Sequence, residues 1–274
     1  MTQYFQASDG TRLAFEREGE GPAVLCLAGL TRNSTDFDYV LPHLKGVEVI
    51  RMDYRGRGAS EWSGALTYSI ARETQDVIEL LNHLNVQQAA IIGTSRGGLI
   101  AMTLAMNWKE RLTAVLLNDI GPELEAEGLE TIESYTGVDP KEDNYEDAAK
   151  MRETLNPGFV DVPHSRWFEE ARKHYIQTVN GLKINYDPEL GDATRAAMSA
   201  RAVDLWPAFD ALSDLPLAAL RGQNSNLLSA ETFNAMRNRR PDTIAAEVPD
   251  RGHVPFLDEP QSLAIIERWL EEFR

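Results

Sequence analysis

The sequence predicts an α/β fold: a mostly parallel central sheet covered by helices on both faces, with an inserted helical lid. Three observations predict this fold. Short apolar segments alternate with amphipathic segments, the alternation is interrupted once, over residues 121–210, and the composition is that of a globular protein. With 274 residues, 43% of them hydrophobic and 26% charged, the chain is long enough to bury a substantial core.

Six short apolar segments have the residue types of buried strands. They are rich in leucine or β-branched residues and are bounded by Gly, Pro, Asn or Asp. The beginning of the chain differs, because Gln3–Gln6 and Arg12–Arg17 flank the turn sequence Ser8-Asp9-Gly10 and predict an antiparallel hairpin. The six predicted strands are Pro22–Leu27, Glu48–Met52, Ala89–Gly93, Leu112–Asn118, Leu215–Arg221 and Thr243–Val248.

Helical segments separate several of these strands. Apolar residues recur three or four positions apart in Ile70–His83, Gly97–Trp108 and Pro260–Phe273. Strands that alternate with helices are typical of a parallel sheet that is covered on both faces. We therefore assign residues 1–120 and 211–274 to one core.

Residues 121–210 interrupt this alternation and contain no convincing core strand. Their first part, residues 121–153, has 11 acidic and three basic residues, which indicates a solvated acidic outer face. We predict an inserted, mostly helical lid. The aromatic residues at helical spacing in its later part either pack the lid onto the sheet or line a substrate cavity: Trp167, Phe168, Tyr175, Trp206 and Phe209.

Charge and composition exclude several classes of function. The net charge of -16 repels nucleic-acid phosphates and anionic lipids. The sequence has no apolar stretch of membrane-spanning length and no secretory signal, so we expect a cytoplasmic protein with no nucleic-acid or membrane partner. The single cysteine, Cys26, lies in an apolar run and is expected to be buried, and the five scattered histidines lack zinc-site spacing. No metal and no cofactor are expected.

The strand Ala89–Gly93 leads directly into Gly93-Thr94-Ser95-Arg96-Gly97, and a helical pattern begins at once. This is a G-x-S-x-G sequence in a strand-turn-helix context. A sharp turn of this kind presents the Ser95 hydroxyl at the edge of the sheet, beside the free N–H groups of a helix N-terminus. Ser95 is therefore the candidate nucleophile.

A serine nucleophile needs a base, and an oxyanion needs N–H donors. Of the five histidines, His253 lies in a loop between the last predicted strand and the terminal helix, where a base would be expected. One oxyanion donor is predicted to be the backbone N–H of Arg96, which follows the nucleophile. The second is predicted to be the N–H of Leu30, in the glycine-containing loop after Pro22–Leu27.

Together these segments resemble the α/β-hydrolase superfamily over the whole chain apart from the lid. Asp53-Tyr54-Arg55-Gly56-Arg57-Gly58-Ala59-Ser60 resembles the family's turn after its fourth strand. Gly252-His253-Val254-Pro255-Phe256-Leu257-Asp258-Glu259-Pro260 resembles its histidine loop. The resemblance implies the fold predicted above and a Ser-His-acid arrangement, with the segment 53–60 in a structural role.

The resemblance also implies an aspartate after the seventh strand, but Asn226 stands there in Leu220–Ser229. An asparagine carries no charge to stabilise an imidazolium, and this kind of change lowers turnover about ten-thousand-fold in a serine protease. Three explanations stay open. Asn226 weakens a hydrolase, Asp119 after the strand Leu112–Asn118 supplies the acid as in some relatives, or catalysis has been lost and the pocket retained.

We predict a cofactor-independent serine hydrolase that cleaves an ester, lactone or related carbonyl compound through an acyl-enzyme. The expected partner is a small, mostly apolar substrate, and the oligomeric state cannot be deduced from the sequence. Two alternatives remain. One is a catalytically weakened ligand-binding protein of the same fold, and the other is a carbon-carbon bond hydrolase or lyase that uses the same side chains.

Overall fold

The computed structural model describes residues 1–200 and 203–274. Its main sheet has eight strands in the order β1-β2-β4-β3-β5-β6-β9-β10, and a separate hairpin consists of β7 and β8. The first two strands are antiparallel, β2 pairs with β4 antiparallel, and all the other pairs of the main sheet are parallel. The strands are β1 Gln3–Gln6, β2 Arg12–Gly19, β3 Ala23–Leu27, β4 Glu48–Met52, β5 Ala89–Thr94, β6 Leu112–Asn118, β7 Tyr175–Thr178, β8 Gly181–Ile184, β9 Leu217–Gly222 and β10 Ile244–Val248.

Helices cover both faces of the sheet, and a separate apolar core lies under each face. Alternate residues of β3 separate the two cores: Leu25 belongs to the core under α1, α2, α7 and α8, and Cys26 belongs to the core under α9. The helices are α1 Ile70–His83, α2 Arg96–Asn107, α3 Ala126–Tyr135, α4 Tyr145–Leu155, α5 His164–His174, α6 Leu190–Ser199, α7 Trp206–Asp210, α8 Ala230–Arg239 and α9 Pro260–Glu271.

The predicted fold class is confirmed, and the predicted strands and the N-terminal hairpin are present with small shifts at their ends. The strand predicted over Leu215–Arg221 begins at Leu217 and extends to Gly222. Cys26 is buried as expected, and burial raises the pKa of its thiol to about 12. In the described parts of the chain no helix is long and apolar enough to cross a membrane.

Residues 121–210, called the inserted segment below, lie between β6 and β9. They contain α3 to α7 and the β7–β8 hairpin, which the sequence analysis did not predict. The segment packs on the loops that follow β9 and β10, where Asn224 Nδ2 donates to Gly158 O at 2.9 Å and Val160 N donates to Asp250 O at 3.1 Å. Its role as a lid remains a prediction.

The aromatic residues of the inserted segment pack among apolar side chains. Phe209 is fully buried in the core under α1 and α2, with Trp206 against it. Trp167 contacts Phe159 and Phe256 with ring centroids 5.5 and 6.2 Å apart. The structure therefore places these rings in packing contacts, which is the first of the two alternatives given in the sequence analysis.

Candidate active site

The turn between β5 and α2 holds Ser95 in an unusual backbone conformation. Its φ is 50° and its ψ is −114°, a region that non-glycine residues rarely adopt. The motif needs glycines because backbone atoms of neighbouring residues lie too close to these positions for a side chain. A Cβ atom added to Gly97 would lie 2.0 Å from Leu27 O, and one added to Gly93 would lie 2.7 Å from Gly97 O. The G-x-S-x-G spacing is thus what this turn needs sterically.

His253 lies in the loop between β10 and α9 and contacts Ser95. Its Nε2 is 2.9 Å from Ser95 Oγ, although the two residues are 158 positions apart in the chain. The parallel sheet brings them together, because the carboxyl ends of β5 and β10 lie at the same edge. Both side chains are mostly buried but keep some exposure: Ser95 is 8% exposed, and the His253 side chain is 14% exposed.

Asp119 follows the last residue of β6 and completes the chain of contacts. Its Oδ2 is 2.7 Å from His253 Nδ1. The carboxylate is fully buried, and its oxygens accept two further hydrogen bonds, from Gly222 N at 2.7 Å and from Ser225 Oγ at 2.6 Å. Since a carboxylate only accepts, the shared proton belongs to His253 Nδ1, and Nε2 is left to accept from the Ser95 hydroxyl.

Asn226 takes no part in these contacts. Among the described residues no hydrogen bond joins its side chain to His253, whose Nδ1 is occupied by Asp119. The loop after β9 contributes through the preceding residue, because Ser225 donates to Asp119. The sequence analysis missed Ser225, although its position beside the expected acid was a usable signal.

The two predicted oxyanion residues belong to segments that adjoin Ser95. Arg96 is the first residue of α2, where the backbone N–H has no partner inside the helix. The loop of Leu30 approaches from β3, since a Cβ atom added to Gly29 would lie 3.9 Å from Ser95 Cβ. Gly97 N donates to Ala28 O at 3.1 Å and fixes this loop to the start of α2.

A buried carboxylate connects the loops of Leu30 and Arg96. Glu73 on α1 accepts from Arg57 Nη1 at 2.8 Å and from Arg96 Nε at 2.5 Å. Arg57 Nε in turn donates to Leu30 O at 2.9 Å. Burial alone would raise the pKa of Glu73, but the charges of Arg57 and Arg96 outweigh it and lower that pKa below its ordinary value.

The segment 53–60 therefore has the structural role that the resemblance implied, and it also contacts the candidate site. Asp53 accepts from Ser34 N at 2.7 Å and Ala59 N at 2.9 Å, which fixes the turn. Arg55 forms two hydrogen bonds with Asp76, whereas Arg57 points to Leu30.

The described residues form a mostly parallel sheet with helices on both faces and a Ser-His-Asp arrangement at one edge of that sheet. A model of the alpha/beta hydrolase family matches residues 24–265, so the chain belongs to this family. A 3-hydroxybutyrate-oligomer hydrolase from Cupriavidus necator is 35% identical over an alignment of 267 residues, and the match covers 93% of this chain and 91% of that protein.

Two further relatives extend the comparison. The crystal structure of an α/β hydrolase from Novosphingobium aromaticivorans has a TM-score of 0.92 and 37% identity, and the match covers 99% of this chain and 98% of that one. A 2-(acetamidomethylene)succinate hydrolase from Mesorhizobium japonicum is 26% identical over an alignment of 244 residues, and the match covers 88% of this chain and 84% of that protein.

Proposed function

We propose that this chain is a serine hydrolase of the carboxylic ester type. The observation that carries the proposal is the continuous chain of contacts from Ser95 Oγ through His253 to Asp119, at 2.9 and 2.7 Å. Ser95 Oγ attacks the carbonyl carbon while its proton moves to His253 Nε2. Asp119 orients the ring and stabilises the imidazolium. The alcohol leaves with that proton, and water then releases the acid from Ser95.

The negative charge on the carbonyl oxygen is held by two backbone N–H groups, those of Leu30 and Arg96. Such donors are effective when they are held in place before the reaction. The contacts of Arg57 and Glu73 supply this rigidity, because one buried carboxylate connects both loops. Glu73 and Arg57 are positioning residues in this proposal.

The proposed substrate class is a short ester of a hydroxy acid. Its support is the 35% identity with a 3-hydroxybutyrate-oligomer hydrolase, over 93% of this chain. An oligomer of 3-hydroxybutyrate is a chain of esters with a free hydroxyl group at one end and a carboxylate at the other. The simplest test substrate is therefore the dimer, which contains a single ester bond.

The test compares four purified proteins: the natural chain, Ser95→Ala, Asp119→Asn and Asn226→Asp. Hydrolysis of a short-chain p-nitrophenyl ester and of the dimer is measured, together with labelling by an active-site-directed organophosphonate. We expect hydrolysis and labelling in the natural chain and in Asn226→Asp, and neither in Ser95→Ala. Mass spectrometry of the labelled peptide should place the adduct on Ser95.

The other two functions predicted from the sequence have distinct signatures in this test. A ligand-binding protein would bind the ester without hydrolysing it. The main support for that alternative was the missing acid, a role that this proposal gives to Asp119. A lyase would cleave its substrate without an acyl-enzyme. Robust turnover in Ser95→Ala would contradict the proposed function.

A further inference from the structure

Arg32, in the loop after β3, lies beside Ser95. A Cβ atom added to Gly29 would be 3.4 Å from Arg32 Cδ and 3.9 Å from Ser95 Cβ, so both side chains flank the same stretch of backbone. Arg32 and Glu170 also line a small cavity whose other walls adjoin the candidate triad. Those walls include the residues next to Ser95, Asp119 and His253 in the chain, which are Thr94, Asn118 and Val254.

A second arginine approaches from the inserted segment. Arg152 on α4 and Arg32 converge on the same oxygen of Glu170, with Nη–Oε2 distances of 3.8 and 3.3 Å. Both guanidinium groups are largely enclosed, since the side chains of Arg152 and Arg32 are only 17% and 22% exposed. Two largely enclosed cations thus share the carboxylate of Glu170, which lines a cavity beside the candidate active site.

Both arginines have hydrogen-bond donors that no described residue uses. All three contacts of Arg32 with carboxylates come from Nη1, and they are long, at 3.3 to 3.4 Å. Within residues 1–200 and 203–274, Arg152 donates no side-chain hydrogen bond, and its Nε is buried without a partner. Arg55 is a useful contrast, because it binds Asp76 with two bonds of 2.6 and 2.8 Å, the normal length for such pairs.

Among the described residues, the neighbouring carboxylates do not accept hydrogen bonds from these unused donors. Asp36 and Glu170 are the carboxylates that face the arginines. Their contacts with Arg32 are the long ones from Nη1 described above. His174 lies 3.3 Å from Asp36, and the Tyr39 hydroxyl donates to Glu170 Oε1 at 3.0 Å. Burial, followed by the charges of Arg152 and Arg32, lowers the pKa of His174, so its ring is neutral at pH 7.

We propose that Arg152 and Arg32 form a subsite for a carboxylate of the substrate, so that the natural ester carries a free acid group. The unused donors of Arg152 match the two oxygens of a carboxylate, which a guanidinium binds with two parallel hydrogen bonds. This inference rests on the proposed serine hydrolase function. It also departs from the mostly apolar substrate expected from the sequence, because two arginines lie beneath the acidic surface of the inserted segment.

The test uses two substrates that differ only in charge: the dimer of 3-hydroxybutyrate and the same dimer with its carboxylate converted to a carboxamide. In the natural chain, kcat/KM should be higher for the acid than for the amide. Arg152→Gln should lower kcat/KM for the acid by about 10- to 100-fold, mainly through KM, as expected for loss of a charged hydrogen bond. The value for the amide should change less than about threefold.

The ratio of the two kcat/KM values is independent of how much of a preparation is folded, because both substrates are measured on the same protein. Arg32→Gln is the second variant and should lower the ratio in the same direction. Arg152→Lys keeps the charge without the planar donors and should restore part of it. Arg172→Gln is the matched control, since Arg172 is exposed on α5, and its ratio should equal that of the natural chain.

Three results would overturn the subsite. Equal kcat/KM for acid and amide in the natural chain, or equal loss for both substrates in Arg152→Gln, removes the carboxylate recognition while the serine hydrolase function stands. A reduced ratio in Arg172→Gln would mean that the effect reflects overall charge. A chain inert toward both substrates and toward organophosphonate contradicts the proposed function and the subsite with it.

Discussion

Two polar networks meet at the candidate site, and they differ in how tightly their members are paired. At the sheet edge, Ser95, His253 and Asp119 are joined by contacts of 2.7 to 2.9 Å. Beneath the inserted segment, Arg32 and Arg152 contact Glu170 at 3.3 and 3.8 Å. The first network satisfies its own donors and acceptors, whereas the second leaves donors unused.

The difference follows from what holds each network. The sheet-edge residues extend from parallel strands that are hydrogen-bonded along their length, so their positions are determined before any substrate arrives. The arginines belong to a loop and to α4, and α4 packs through smaller apolar clusters. We infer that the first region carries the chemistry and the second selects the substrate, and each prediction below tests that division.

Removing the nucleophile should have the largest effect. Ser95→Ala should lower ester hydrolysis by about 10⁴-fold or more for every ester tested, because no other group in the proposed mechanism forms the acyl-enzyme. The measurement is kcat/KM for the acid and amide dimers. If the loss differed strongly between the two substrates, Ser95 would be acting in selection and the division would be wrong.

Replacing the acid should have the next largest effect. Asp119→Asn should lower kcat by about 10²- to 10⁴-fold, because an amide does not stabilise the imidazolium. Asn226→Asp is the control and should change kcat by less than about threefold, since among the described residues the partner of His253 Nδ1 is Asp119 and not Asn226. The measurement is kcat of both variants from steady-state kinetics. A large increase of kcat in Asn226→Asp would contradict the role of Asp119 and indicate that the acid belongs at position 226.

Glu73 and Asp76 on α1 allow a sharper test of the positioning role. Both are fully buried, and each bridges two arginines, but only Glu73 reaches the loops of Leu30 and Arg96. Glu73→Gln should lower kcat by about 10- to 100-fold with little change in KM, a fraction of what one lost oxyanion donor costs. Asp76→Asn should leave kcat within about threefold.

Affinity for a boronic acid transition-state analogue separates positioning from folding. It should fall in parallel with kcat in Glu73→Gln and stay unchanged in Asp76→Asn, while thermal unfolding shifts in both. Equal effects of the two substitutions on analogue affinity would reduce Glu73 to a purely structural residue.

The smallest expected effect is on stability, and it belongs to the second network. The pKa of His174 is lowered in the folded chain by burial and by Arg152 and Arg32, so the unfolded chain binds a proton more readily. The free energy of unfolding should therefore fall as the pH decreases below about 6.5. His174→Asn should weaken this dependence between pH 7 and pH 5, measured by urea unfolding, and an identical slope in both proteins would contradict the assignment.

Much of the core and part of the site could be predicted from local patterns. Ser95 could be predicted because the turn requires glycines at fixed spacing. His253 could be predicted because it follows the last strand. Asp119 and Asn226 could not be distinguished, since the choice depends on which side chain reaches the His253 ring in the folded chain, and Asp119 is 134 positions from His253 in the sequence. The β7–β8 hairpin was missed because its two short strands pair only with each other.

By itself the sequence determined the alternation of strands and helices, the G-x-S-x-G turn and the overall negative charge, because these depend on neighbours in the chain. Only the tertiary structure decided that Asp119 meets His253, that Glu73 connects two loops, and that Arg32 and Arg152 converge under an acidic surface. These features depend on contacts between residues far apart in sequence, and the register of the parallel strands and the packing of the inserted segment determine such contacts.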